Sequence, residues 1–434
     1  MNISDKYLIN RVTGEKGQAE VIFFPMHEDD IIDMVQTVRI KKQKLITIGG
    51  HTGLSGATFP DNHQVLMSLE KLNKIINLDS ETLTLTVQAG VTIAQISDYL
   101  ADTPYFYAPD PGSKLATIGG NAATNAGGMR AIKYGVTRDN IRSMRVVLAS
   151  GQVMQVGSIN RKDSSGYDLK DVFIGSEGTL GVITELDLKI QPKPKFRRDI
   201  LLGFDSLSQL SPKVFAILSS GLMPATLEFF ERDSIAYSEK GLGLSFPAIF
   251  GEAFLLITLN GNDEGQLAQE LRYLSSLSAH TLVLTDDAIL QTVWQLRGAI
   301  VSSVELESLQ EPLDVVVPVN KIASTIVALK NLAQAEGLSA IFFGHAGDGN
   351  IHANIIKNDL SDAVWEDKLS RYLDQLYAYI AQVGGKPSAE HGIGMLKKYY
   401  FEKYSDPIAL TTMKVMKVAL DPENMLNPGK IFDL

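Results

Sequence analysis

Cysteine is absent from all 434 residues. That absence excludes disulfides, thiolate zinc sites, iron–sulfur ligation and a cysteine nucleophile, so any metal must be held by imidazole and carboxylate. Basic charge is in deficit too: 40 Lys and Arg face 50 Asp and Glu, for a net charge of −10. Nonspecific nucleic-acid binding needs the opposite sign, so no nucleic acid is expected as a partner. No apolar run approaches the roughly 18 residues that a bilayer span requires. The N-terminal Met1-Asn2-Ile3-Ser4-Asp5-Lys6 lacks the basic-then-apolar order of a secretory signal. The expected location is the cytoplasm, with peripheral contact at the membrane left open. Repeats and low-complexity tracts are missing.

What is present is a folded composition, 45% hydrophobic and 21% charged, in a chain longer than one core usually holds. Short β-rich runs alternate with amphipathic segments over the first third. Residues 21–25 read as a strand, and Glu28, Asp29 and Asp30 form the acidic first turn of a helix with Ile31, Ile32, Met34, Val35 and Val38 on its apolar face. Residues 45–48 and 82–87 read as strands, Thr92 as a helix cap, and Ser150-Gly151 as the turn of a hairpin. Gln191-Pro192-Lys193-Pro194-Lys195 is the clearest linker. Beyond it, strand-like residues 225–230, 254–259 and 314–319 alternate with helix-like residues 322–335 and 364–383, a pattern that suits an antiparallel sheet covered by helices. The expected division is 1–195, 196–385, and a segment 386–434 that returns to the first domain.

Glycines cluster at 49–56, 119–128 and 175–181, where bare turns let backbone N–H groups converge on an anion. None fits the nucleoside-triphosphate loop or the Rossmann fingerprint, and three in one domain point to a large phosphate-bearing cofactor. Further on, His345 and His352 bracket the turn Gly347-Asp348-Gly349-Asn350, and Glu390-His391 follows. Glycine and asparagine tolerate positive φ, so this turn sets two of only seven histidines on adjoining strands. Two imidazoles and the Glu390 carboxylate make a three-ligand metal site with open positions.

Residues 48–56, Pro109-Asp110-Pro111-Gly112-Ser113, residues 117–128 and 175–184 resemble the FAD-contacting segments of the vanillyl-alcohol-oxidase-type flavoproteins. Residues 344–352, 388–394 and 426–430 resemble one branch of that family, which holds the glycolate oxidase catalytic subunit, D-lactate dehydrogenase and D-2-hydroxyglutarate dehydrogenase. The resemblance implies an α+β fold: a two-part FAD-binding domain of the vanillyl-alcohol-oxidase type, and a cap domain with an antiparallel sheet covered by helices. It implies that Gly49, Gly50, His51, Thr52, Gly53, Leu54 and Ser55 wrap the FAD pyrophosphate. Pro111, Ser113, Thr117, Gly119, Gly120, Thr124 and Gly128 would approach the flavin and ribityl chain. Glu177, Gly178, Gly181 and Ile183 would hold the adenosine side, and Asn427 would return to the isoalloxazine. His51 departs from the branch, which has Gly or Asn there, and is a candidate for a covalent 8α bond to FAD.

The same resemblance implies a divalent metal, zinc or manganese, on His345, His352 and Glu390, with His391 as the catalytic base. Arg297 would pair with a substrate carboxylate, and Asn354 would line the same pocket. The implied reaction is oxidation of a D-2-hydroxy acid to the 2-oxo acid. A metal lowers the hydroxyl pKa, an imidazole of ordinary pKa about 6.5 accepts that proton, and the flavin takes the hydride. Val301 and Pro312 stand where the hydroxyglutarate branch has polar groups for a second carboxylate, which favours D-lactate, then glycolate. Without cysteines the electrons must leave FAD directly, to a quinone, an electron-transfer flavoprotein, an iron–sulfur subunit, or oxygen with release of peroxide. A non-catalytic electron-relay subunit is the alternative, and a homodimer is left open.

Overall fold

The structure, a computed structural model, describes residues 3–248 and 250–434. Met1 and Asn2, the start of the N-terminal stretch read above, lie outside the described residues. The chain forms two compact units. One contains the residues up to Gly128, Tyr134–Lys193 and Glu390–Leu434, and the other contains Met129–Lys133 and Pro194–Ala389.

In the first unit, Ala19–Phe23, Gln64–Ser68 and Leu45–Ile48 form a parallel sheet with Gln64–Ser68 in the middle. The helix Glu28–Ile40 connects its strands. Asp30 turns back to accept the Met26 and His27 N–H groups, which fixes the helix start, and Ile31, Val35 and Val38 are buried. A second, antiparallel sheet runs in the order Ile75–Asp79, Thr84–Gln88, Val182–Pro192, Ile141–Val147, Val153–Gly157, with Tyr105–Tyr107 on Val182–Pro192. Ile31, Leu45, Met67, Leu85, Met144 and Leu186 share one core between the sheets. Burying each such side chain is worth about 1.5–3 kcal/mol. The strand Val182–Pro192 takes in the first two residues of the linker and the next strand begins at Phe196, and the two units divide inside it, between Lys193 and Pro194. The returning segment carries the helices Lys398–Tyr404 and Pro407–Leu420. At its end the buried Lys417 donates to Asp421 and to the carbonyls of Thr179 and Leu426, each at 2.5–2.8 Å. Asn427 N–H then donates to the Leu45 carbonyl at 2.8 Å, which brings residue 427 to the parallel sheet.

In the second unit a seven-stranded antiparallel sheet runs His280–Val283, Phe196–Phe204, Ala253–Gly261, Thr226–Glu231, Ser339–His345, Asn350–Ile356, Gln310–Val316. Leu201, Phe230, Phe254 and Leu256 pack against Ile235, Val293, Leu296 and Ile300 of the helices Arg232–Leu242, Asp287–Gly298 and Ile300–Glu307. Alternate side chains of a strand point to opposite faces, and Leu255 and Ile257 are fully buried as well. The sheet is therefore covered on both sides. Directly paired residues share a face, and the register pairs Glu228 with His345, His345 with Asn350, and His352 with Asp314. Five polar strand positions are thereby set side by side.

Candidate active site

The glycine-rich loops of the first unit meet around a cleft. Gly49, Gly50, His51, Thr52, Gly53 and Ser55 line it, as do Thr117, Gly119, Gly120, Thr124, Glu177, Gly178, Gly181, Ile183 and Asn427. Asn121, Ala123 and Val182, inside the segments already singled out, also line it, as do Thr47, Ala57, Thr58, Leu69, Ala89 and Ala116, which nothing in the local sequence marks. Leu54, Pro111, Ser113 and Gly128 are not on this wall. For Gly128 the reason is packing: at φ +132° a Cβ there would stand 2.2 Å from the Asp110 carbonyl oxygen, hard against the Asp110-Pro111 peptide. Ser113 closes a turn, its carbonyl accepting the Ala116 N–H at 3.2 Å.

Several glycines of the wall also answer to the protein itself. A Cβ on Gly50 would meet the Leu115 carbonyl at 2.6 Å, one on Gly119 would meet Ala89, and one on Gly181 would meet Val146. Gly53 has nothing within 4 Å of its missing Cβ, so its backbone is open to a ligand. Thr117 ties two loops together, its hydroxyl accepting N–H from Gly50 at 3.1 Å and from Gly120 at 3.3 Å. A cleft walled by glycine backbone and small side chains suits a phosphate-bearing cofactor such as FAD.

Three wall residues carry their side chains elsewhere than the local sequence suggests. Glu177, at φ +50°, turns its carboxylate to the returning segment, accepting N–H from Ile393 at 2.6 Å and from Gly394 at 2.8 Å. Its side chain is thus engaged within the protein, while the residue itself lines the cleft. Burial pushes this carboxyl up to about 7, against the pull of both amides and of the Lys397 and Lys430 charges. The Asn427 carboxamide bridges two wall segments, accepting from Thr47 N–H at 2.9 Å and donating to the Glu177 carbonyl at 2.8 Å. His51 has both ring nitrogens engaged, Nδ1 with the Thr58 hydroxyl at 2.9 Å and Nε2 with the Ile9 carbonyl at 3.3 Å. Burial holds its pKa below the ordinary histidine value. An 8α bond would cost one of those partners. Acid precipitation is expected to release all the yellow chromophore into the supernatant, and colour kept in the pellet would overturn this.

In the second unit the Ser339–His345 and Asn350–Ile356 hairpin sets His345 Nε2 3.4 Å from His352 Nε2, with the rings at 89°. Behind each ring stands a fully buried carboxylate. His345 Nδ1 donates to Glu228 at 2.7 Å, and His352 Nδ1 lies 3.7 Å from Asp314. An imidazole that donates from Nδ1 turns the lone pair of Nε2 outward, the arrangement of a metal-binding histidine backed by a carboxylate. Two Nε2 atoms facing one point fit a divalent cation better than they fit each other.

Glu228 and Asp314 escaped the sequence reading, although each left a mark: an acid set between two apolar residues of a strand, Leu227 and Phe229 in one case, Leu313 and Val315 in the other. Such a charge needs a partner to be tolerated. Glu228 also accepts from Arg297 Nη2 at 2.6 Å, and Arg297 stacks 5.0 Å over the Phe343 ring. Arg297 is thus ion-paired within the protein, while its buried Nε has no hydrogen-bond partner among the described residues. The Asn354 carboxamide donates to Gln310, which in turn donates to the Val301 carbonyl at 3.0 Å. Asp314 accepts from Asn350, from Ser388 Oγ at 3.0 Å and from Ala389 N–H at 3.1 Å, holding the two residues that precede Glu390-His391 in the chain.

Residues 19–157 match the family described as "FAD binding domain", and residues 193–431 match "FAD linked oxidases, C-terminal domain". The chain is 37% identical over 427 residues to D-lactate dehydrogenase of Anaerostipes hadrus, covering 96% of this chain and 90% of that protein. It is 32% identical over 420 residues to the glycolate oxidase subunit GlcD of Bacillus subtilis (strain 168), covering 95% and 89%. The fold is similar to that of p-cresol methylhydroxylase with substrate bound, at a TM-score of 0.79 and 17% identity over 99% of this chain and 92% of the other.

Proposed function

Because this chain belongs to the FAD-linked oxidases and is an oxidoreductase of hydroxy acids, we propose that it is a D-2-hydroxyacid dehydrogenase whose preferred substrate is D-lactate. The observation that carries the reading is the pair of imidazoles whose Nε2 atoms lie 3.4 Å apart with carboxylates behind them. His345, His352 and Glu390 would hold a divalent metal, zinc or manganese, a donor set of nitrogen and oxygen suited to either. When bound, the metal acidifies the substrate hydroxyl and FAD accepts the C2 hydride. His391 takes the hydroxyl proton as general base. Arg297, held at one end by Glu228, offers its remaining N–H groups to the substrate carboxylate, and a guanidinium fork suits that geometry. Asn354 lines the same pocket as a polar contact.

Substrate size follows from what surrounds these groups. Pro312 is paired with Asn354 across the strands, and Val301 packs into the apolar core. The Gln310 carboxamide is spent on Val301 and Asn354. None of these brings a positive charge, which favours a small monocarboxylate over a dicarboxylate.

Anaerobic bleaching of the flavin by a panel of D- and L-2-hydroxy acids tests the reading. D-lactate is expected to bleach fastest, glycolate next and D-2-hydroxyglutarate slowly, with L-lactate inert. Chelation that removes the metal but keeps FAD is expected to slow bleaching by about a hundredfold or more, since Lewis-acid activation supplies several kcal/mol. A rate unaltered by chelation removes the metal from the proposal.

A further inference from the structure

The segment Gly392–Leu396, directly after the Glu390-His391 pair, is held by loops of the FAD cleft. The Glu177 carboxylate accepts the amides of Ile393 and Gly394, one on each oxygen. The Ser55 carbonyl accepts those of Met395 and Leu396 at 3.0 and 3.2 Å. Gly392 and Gly394 take φ +78° and +52°, and neither tolerates a side chain: a Cβ on Gly392 would stand 2.8 Å from the Glu177 carboxylate, one on Gly394 2.0 Å from the Ser55 carbonyl. On the other side of the pair, the bare Cα of Gly127 faces the Glu390 carboxylate, where a Cβ would come within 2.8 Å. One residue from each of the three glycine-rich loops, Ser55, Gly127 and Glu177, thus meets residues 390–396.

We propose that Glu177 is a positioning residue for His391, a clamp through which the cofactor loop fixes the segment that carries the base. The inference rests on His391 being that base. The geometry gives Glu177 two functions on its two sides. Its backbone lines the FAD cleft, and its carbonyl is held by Asn427, which also lines the cleft. Its side chain faces away, onto the His391 segment. A cofactor that orders the Glu177-Gly178 backbone therefore also orders the carboxylate, and with it the Ile393 and Gly394 amides. Base placement and cofactor loading become coupled through one side chain. Glutamine at 177 is close to isosteric but presents an NH2 to one of the two amides, so one of the bonds is lost.

Hydrogen exchange and kinetics on the full-length protein test this. In the wild type, FAD loading is expected to slow exchange of the Ile393 and Gly394 amides by about tenfold or more, the effect of strengthening one hydrogen bond to a charged acceptor. In FAD-loaded Glu177→Gln the same amides are expected to exchange about tenfold to a hundredfold faster than in the loaded wild type. The variant should keep one FAD per chain and its KM for D-lactate, and lose about tenfold or more in the rate of flavin reduction. Wild-type amides that exchange equally with and without FAD would overturn the coupling, even where the variant fails to fold. A loaded variant with wild-type exchange and wild-type reduction would overturn the clamp. If no hydroxy acid bleaches the wild-type flavin, the proposed function fails, and the two exchange measurements still decide the clamp.

Discussion

Glu228→Ala is expected to destabilise the protein by about 3–5 kcal/mol, because it removes the partner of a buried charge and leaves the Arg297 guanidinium unpaired. Glu228 is fully buried and has two short bonds, to Arg297 Nη2 at 2.6 Å and to His345 Nδ1 at 2.7 Å. Denaturant unfolding measures this loss directly. Glu228→Gln is the milder and more informative change, since it keeps the shape and one acceptor. A carboxamide no longer neutralises Arg297 and sets the tautomer of His345 less firmly, so metal affinity is expected to fall about tenfold to a hundredfold. Metal titration of the purified variant reads that loss independently of turnover. If Glu228→Gln binds metal as tightly as the wild type, the carboxylate does not orient His345 toward a metal, and its role is confined to Arg297.

His391→Ala is expected to lower the rate of flavin reduction by about a thousandfold, within the usual range for removing a general base. FAD content should be unchanged, since the residues lining the cleft do not include His391. The ratio of flavin absorbance to protein separates the two effects, and stopped-flow bleaching with D-lactate supplies the rate. A metal without its base still acidifies the hydroxyl, so a small residual rate that rises with pH is the expected remainder. Wild-type turnover in this variant would remove the base assignment.

Much of this was legible in the order of the residues, for reasons that are local. The Glu28–Ile40 helix announces itself by three acids in its first turn and an apolar stripe at helical spacing. The Thr92 cap forms with Gln95 as its sequence suggests, and the Ser150-Gly151 turn joins Ile141–Val147 to Val153–Gly157 as expected. The His345–His352 turn works in the same way, because Gly349, at φ +79°, lets the chain reverse tightly between the flanking strands. The end of one strand was harder to read. Gln191-Pro192 looked like a linker because proline is a poor strand residue, yet Pro192 sits at the end of a strand, where the missing N–H costs little.

The sequence by itself determined the chemistry available to this protein: no thiols, hence imidazole and carboxylate for a metal, glycine-rich loops for a phosphate-bearing cofactor, and a histidine pair locked onto one hairpin. These follow from residue type and short-range backbone geometry, which travel with the chain. Only the tertiary structure decided which groups stand behind the working ones. Glu228 reaches His345 across 117 positions, Asp314 reaches His352 across 38, and Glu177 reaches Ile393 across 216. Each of those partnerships depends on strand register or on the return of the C-terminal segment. Register is settled by the burial of whole sheet faces, a collective choice that no short stretch of sequence records.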